Sequence, residues 1–262
     1  MNNYIVDCLN SISNQSFQNW ECIIVNDGSS DNSEVTIKNY IKNDSRFIYI
    51  YQDNQGVSSA RNKGVLHSNG KYILPLDGDD ILLPGFLEQC YNLFEKNDHL
   101  RLIYTKGVFF DGVVSEWKLP NYSYSTLLNY NILPNTSMFY KDDYLRVGGY
   151  RINMKFGFED WDFWIALLSI YPDNSVFRID EVLFKYRILE NSRSSHLENI
   201  DNLSKMTNRI LQNNFEIYSG KFGDLHEKVV SFENLKKRQD KWPVKLILKF
   251  LDLAFVIRLK KK

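Results

Sequence analysis

Tyr72-Ile73-Leu74-Pro75-Leu76-Asp77-Gly78-Asp79-Asp80 is the run that decides how this chain folds. Its first five residues are apolar and predict a buried strand over 71–76. Its last four place three carboxylates at that strand's carboxyl end. Like charges this close repel unless something positive sits among them. A divalent cation is the natural counter-charge, and holding a phosphate-bearing substrate is the natural reason to bind one. A second run repeats the pattern: Cys22-Ile23-Ile24-Val25 opens into Asn26-Asp27-Gly28-Ser29-Ser30-Asp31. Here a β-branched strand ends in an acid and a glycine, and Asp31 can cap the helix that follows. In open α/β sheets, ligands gather in the crevice beyond the carboxyl ends of the strands. Asp27, Asp77 and Asp79 are therefore expected to line one crevice.

Working outward, Ile5, Leu9 and Ile12 recur at helical spacing and predict a helix over 4–15. A helix from Asp31 to about 42, a strand over 47–51 and a helix over 56–68 follow. Pro84 is expected to open another helix in its first turn, where its missing N–H costs nothing. Residues 101–110 and 113–117 predict a hairpin turned at Asp111-Gly112. Beyond it come a strand over 136–140, a helix over 159–170 with Trp161, Trp164, Ile165 and Leu168 on its apolar side, one or two strands over 176–188, and a helix over 199–217. Alternating helices and strands with short links predict an α/β fold: a mainly parallel sheet flanked by helices, with a C-terminal helical extension; that the sheet binds a nucleotide is what the family resemblance given below implies. The expected division is a catalytic domain over 1–198 and an extension over 199–262.

The chain of 262 residues can bury a full core. Lys+Arg and Asp+Glu balance at 32 each, so charge suggests no nucleic-acid partner. Cys8, Cys22 and Cys90 are odd in number and widely spaced. That argues for a reducing, cytoplasmic compartment and against zinc or a disulfide framework. Met1-Asn2-Asn3-Tyr4 lacks the basic and apolar regions of a signal peptide.

Four segments in order resemble the family 2 glycosyltransferases: Asn26 to Asp31, Asn54-Gln55-Gly56-Val57-Ser58-Ser59-Ala60-Arg61-Asn62-Lys63-Gly64, Asp77 to Asp80, and Glu159-Asp160-Trp161-Asp162-Phe163. The likeness runs from residue 4 to about 195. It implies a glycosyltransferase A-type, Rossmann-like fold. It also implies inverting transfer of a sugar from a nucleotide sugar, helped by Mn²⁺ or Mg²⁺. By the same resemblance Asp27 meets the nucleobase, and Arg61 lies near the nucleotide. Asp77 sits near the ribose and the metal shell, with Gly78 beside it at the nucleotide sugar. Asp79 ligates the metal, and Asp160 is the catalytic base. The family starts with a strand, inside the sheet, that ends in an aromatic residue and an asparagine. This chain starts on a helix, so Met1 is expected to be a misplaced or truncated start.

The residue types suit that chemistry. A diphosphate leaves readily only when its developing charge is neutralised. A cation bridging two phosphate oxygens does so with one or two protein carboxylates and water. The bland alternative is an acidic, solvated turn. Asp77, Asp79 and Glu88 also match EF-hand positions one, three and twelve, but Leu82 stands where that loop needs glycine. An acceptor hydroxyl must lose a proton as it attacks, and Glu159-Asp160 at a helix start supplies the carboxylate. Acids also favour helix N-termini for dipole reasons alone. Trp161 suits stacking on a sugar ring or core packing. Arg61 suits a phosphate or Asp77. His196, beyond Ser192-Arg193-Ser194-Ser195, is a further candidate to reach the metal or diphosphate, and so is Arg187.

In the stretch from Trp242 to Lys262, Lys245, Lys249 and Asp252 share one stripe of an otherwise apolar helix. The charges break any span of the ~20 residues that cross a bilayer. Two readings stand: an in-plane membrane helix at the inner face of the cell membrane, or a helix docked on its own domain or on a twin subunit in a homodimer. The leading function is an enzyme that adds a sugar to a glycan or lipid-linked acceptor in cell-surface polysaccharide synthesis. The second is a degenerate, inactive nucleotide-binding or scaffold member of the same fold. A dehydrogenase would need a GxGxxG after a strand, and the chain has none.

Overall fold

The computed structural model describes residues 4–112, 114–189 and 199–222. Its first half runs α1 (Ile5–Ser13), β1 (Cys22–Asp27), α2 (Ser33–Ile41), β2 (Phe47–Gln52), α3 (Val57–His67), β3 (Tyr72–Ile73), β4 (Ile81–Leu82) and α4 (Phe86–Lys96). The second half adds β5 (Leu102–Phe110), β6 (Ser115–Trp117), α5 (Tyr124–Leu127), β7 (Met138–Tyr140), α6 (Lys141–Val147), α7 (Glu159–Leu168), β8 (Val176–Arg187), α8 (Ile200–Asn213) and α9 (Phe215–Phe222).

Local chemistry accounts for most of these boundaries. On α1 the stripe of Ile5, Cys8, Leu9 and Ile12 is buried, as its spacing requires. Ahead of α2 the Asp31 carboxylate accepts from the Ser33 N–H. The strand before the acids is shorter than expected, only Tyr72–Ile73, because Pro75 has no N–H for a ladder. α4 begins at Phe86 rather than in the turn of Pro84, because Gly85 caps it with φ at 87°. The hairpin of β5 and β6 turns where expected, and Asp111 takes φ of 61° at the tip.

Two sheets result. β1 and β2 pair in parallel, from Cys22 opposite Phe47 to Asp27 opposite Gln52. The second sheet has the order β3-β7-β5-β8-β4, with β6 on β5. Its long central pair, β5 and β8, is parallel, and its shorter pairings are antiparallel. The architecture is α/β with helices flanking a sheet and a helical extension at the C-terminal end. The sheet is mixed rather than mainly parallel, because the acid loop turns the chain back so that β4 runs against β8. β3 and β5 both run against β7, so β3, β5 and β8 point the same way. Their carboxyl ends share one rim.

The core lies between this sheet and the helices, with Phe86, Cys90 and Phe94 of α4 packed near Ile103, Leu183 and Phe184. α7 is buried on nearly every side: Trp164, Ile165, Leu167 and Leu168 are all fully enclosed. A helix apolar all round must be covered all round. One cover is α5, where the Tyr124 hydroxyl donates to the Ile165 carbonyl at 2.9 Å. The chain separates into a first compact unit, 1–214, and a second, 215–262. α8, expected in the extension, belongs to the first unit. Asp162 on α7 is fully buried and receives bonds from Asn214, Asn213 and Arg151 at 2.8, 3.1 and 2.9 Å. Among the described residues no helix is long and apolar enough to cross a membrane. His196 and the tail over 242–262 lie outside the described residues.

Candidate active site

Arg61 ties the two acidic motifs together. It sits on the second turn of α3, and its guanidinium donates to Asp77 Oδ1 at 2.7 Å and to Glu159 Oε1 at 2.6 Å. Those partners are 16 and 98 residues away along the chain. The Arg61 side chain is 12% exposed, that of Glu159 5% and that of Asp77 40%. Burial alone would depress the Arg61 pKa; Asp77 and Glu159 outweigh it and hold the guanidinium above its usual value. The next residue, Asn62, accepts from the Tyr150 N–H and the Tyr144 hydroxyl and donates to the Tyr150 carbonyl. One helix thus positions the acid loop, the start of α7 and the turn before it.

The acid loop closes as a turn, Asp80 N–H to Asp77 carbonyl, with Gly78 half-buried inside it. Burial and then the neighbouring Asp77 push the Asp79 carboxyl up. Asp80 is 2% exposed and is pushed up to about 8 by burial, with Asp77 adding to it. Arg187, at the end of β8, fastens the loop. Its backbone N–H donates to Asp80 and its Nε to the Asp79 carbonyl, at 3.0 and 2.8 Å. Its guanidinium also pairs with Asp111 and Asp7 and lies over the rings of Tyr4 and Phe110. With its side chain 5% exposed and so engaged, Arg187 braces the loop from inside.

Asp27 fastens a different loop. One carboxylate oxygen accepts from Gln52 Nε2 and the Gln55 N–H, the other from the Gly56 N–H, at 2.7, 2.8 and 2.9 Å. A carboxylate has about four acceptor sites, so room remains for one more donor. Gly28 lets the strand tip approach that loop: with φ at 71°, a Cβ there would meet the Asn54 nitrogen at 2.8 Å. Gly56 then caps α3, the helix that carries Arg61.

Asp160 stands in the first turn of α7. Its Oδ1 accepts from the Trp161 N–H at 2.8 Å, and its Oδ2 accepts from Asn131 Nδ2 at 3.1 Å. Burial, then the adjacent Glu159, raise its carboxyl to about 6, in the range where a carboxylate can act as a base near neutrality. Phe158 before it holds φ of 62°, a left-handed conformation that costs a non-glycine residue about 1–3 kcal/mol. Glu159 has its carboxylate on Arg61, and among the described residues Asp160 accepts only from the Trp161 N–H and Asn131, with no cation in hydrogen-bond contact. Trp161 is 7% exposed and donates its indole N–H to the Leu127 carbonyl at 2.6 Å. With that bond and the edge of Phe158 against its ring, the indole packs in the core between α7 and α5.

Sequence reasoning missed Asn62, Asn131 and Tyr150. Asn62 adjoins Arg61 and could have been marked by that alone. Asn131 lies in an irregular segment with no pattern to flag it. Two hollows of about 380 and 320 Å³ lie along β5 and β8 and share Arg178. None of the acidic site residues lines either. Among the described residues no group of three or more His, Cys, Asp or Glu is set to hold a metal ion. Two neighbouring carboxylates, one of them 40% exposed, still fit Mg²⁺ or Mn²⁺ bound in the manner that leaves its other positions to water and phosphate oxygens.

The chain matches Glycosyl transferase family 2 over residues 2–161, and it belongs to that family. It is 32% identical over 194 residues to an uncharacterized glycosyltransferase of Methanocaldococcus jannaschii, covering 71% of this chain and 66% of that protein. It is 32% identical over 203 residues to the minor teichoic acid biosynthesis protein GgaB of Bacillus subtilis, covering 73% of this chain but 22% of the relative. The chain thus spans less than two thirds of the length of either. In structure it is similar to S. aureus TarS in complex with UDP, at a TM-score of 0.58 and 18% identity, over 86% of this chain and 73% of that one. That likeness shows the glycosyltransferase A-type fold.

Proposed function

We propose that the protein transfers a sugar from a nucleoside-diphosphate sugar, UDP-linked, to a hydroxyl of a glycan or lipid-linked acceptor, with inversion, in cell-surface polysaccharide synthesis. The single observation that carries this reading is the Arg61 bridge between Asp77 and Glu159, which brings a donor-type acid loop beside a base-bearing helix start. Asp160 takes the acceptor proton as the oxygen attacks. The anomeric carbon's bond to the diphosphate breaks as the new bond forms, and its electron pair leaves with the nucleoside diphosphate. Asp79 and Asp77 would hold Mn²⁺ or Mg²⁺, which when bound would neutralise charge on the diphosphate. Asp27 and Gly78 face the nucleotide, and Glu159 positions Arg61 beside it. The teichoic acid role in GgaB's name and the UDP of the TarS structure support the acceptor class and the donor base. Work at the cytoplasmic face of the membrane follows from that substrate class.

A donor panel with Mn²⁺, read as released nucleoside diphosphate, tests the reading. Asp79→Ala and Asp160→Asn are each expected to abolish transfer, and chelation with EDTA to suppress it until Mn²⁺ is restored. Near-normal turnover by Asp79→Ala would remove the metal role. Nucleotide binding without turnover of any donor would favour the scaffold reading.

A further inference from the structure

Asn131 lies four residues beyond the end of α5, in the irregular stretch that leads to β7. Its amide nitrogen donates to Asp160 Oδ2 at 3.1 Å. Its carbonyl oxygen is buried and, among the described residues, meets no donor. An asparagine kept for structure would satisfy both ends of its amide, since an unmet buried acceptor destabilises the fold. Here one end is satisfied and the other is not, and the satisfied end points at a single oxygen of the base. The groups facing that base are Glu159 from its own helix, Arg61 from α3 and Tyr150 from the segment after α6. Burial and Glu159 both favour the protonated acid, Arg61 opposes them, and Asn131 adds a donor that only the ionised form can fully use.

We propose that Asn131 is a positioning residue that holds Asp160 ionised and in place, so that the base can accept the acceptor's proton at neutral pH. The inference rests on the reading of Asp160 as the base, and it concerns a residue that does not itself react. The captured proton resides on the Asp160 carboxyl and passes to water after the product leaves, so Asn131 gains and loses none.

Asn131→Leu keeps the volume and removes the donor, and it also removes the orphaned carbonyl. Two results are expected together. The Asp160 carboxyl, followed by ¹³C NMR in the full chain with Asp160→Asn to assign the signal, should titrate about one pH unit higher than in the wild type. Stability to urea should stay level or rise. Transfer should then fall about fivefold at pH 6 and stay within about twofold at pH 8.5, with the donor KM unchanged. Asn131→Asp, nearly isosteric, should move the titration at least as far by placing a second carboxyl beside the first. The inference is overturned if the midpoint stays put in both variants, or if Asn131→Leu loses stability and loses rate equally at every pH, as a plain structural brace would. The NMR titration needs no substrate. A shifted midpoint in a protein that turns over no donor would leave the placement of Asn131 standing and sink the transferase reading alone.

Discussion

At the scale of the residue, charge held out of water organises the site. Arg61 is nearly enclosed between two carboxylates that need it. Arg61→Met takes the guanidinium away from the buried Glu159 carboxylate. It should cost about 3 kcal/mol in urea unfolding, with the Glu159 side dominating because solvent screens the more exposed Asp77. Arg61→Lys should recover part of the stability, since a single ammonium cannot fork to both partners. Asp160 makes a second prediction. Its folded pKa, about 6, lies above the ordinary 3.8, so the folded state holds its proton more tightly than the unfolded chain. The stability this contributes is complete below pH 3.8 and is lost as the pH rises through 6. Activity should run the opposite way, with the rate rising from pH 5 to 7 and half-maximal near 6. Asp160→Asn should therefore abolish transfer yet gain stability relative to the wild type at pH 8 and not at pH 4, as thermal melts at the two pH values would reveal. At this scale the sequence marked most of the participants. Asp27 ends β1 and Asp160 opens α7 as the sequence predicted, while Asp77 and Asp79 lie in the loop beyond β3. Which acid would be paired could not be read, because Arg61 reaches Glu159 across 98 residues of chain.

At the scale of the element, close backbone approaches set where the acids point. Gly28→Ala would drive a methyl group into the Asn54 nitrogen at a positive φ. It should push the 54–56 loop off Asp27, cost about 1–3 kcal/mol and weaken nucleotide binding in calorimetry. Gly149→Ala should destabilise similarly, because its Cβ would fall within 2.7 Å of the Tyr144 ring and hydroxyl. Its effect should appear in unfolding curves more than in nucleotide affinity, since that turn is held by Asn62 rather than by Asp27. Periodicity predicted α1 because its apolar residues fall on one buried face; α3 buries only Ser58 and Val65 and carries no such face. Periodicity overextended the strand at Tyr72, where Pro75 ends the ladder, and it could not foresee β4, two residues long, whose pairing with β8 exists only after the acid loop has folded.

At the scale of the whole molecule, the strands fall into two sheets of unequal support. β5 and β8 lie inside a six-stranded sheet, paired on both sides; β5 is buried over most of its length, and β8 buries Ile179, Leu183, Phe184 and Arg187. Among the described residues β1 pairs with β2 alone, and most of its residues are only half-buried. Opening a two-stranded pair exposes less apolar surface than opening the central sheet. Hydrogen exchange should therefore find β5 and β8 amides the slowest and those of β1 and β2 faster by an order of magnitude or more. Bound nucleoside diphosphate should slow β1 selectively, because Asp27 stands at its tip. Equal protection in both sheets without ligand would mean that β1 has a partner on its other edge.

The sequence by itself determined the fold class and the family. Those features are written in short-range patterns: apolar runs that end in carboxylates, and glycines placed where backbone must turn. Only the tertiary structure decided that Glu159 belongs to Arg61, that Trp161 lies in the core, that Arg187 braces the acid loop and that Asn131 touches Asp160. Each of these joins residues far apart in the chain, and no local pattern can encode which distant partner will neutralise a buried charge.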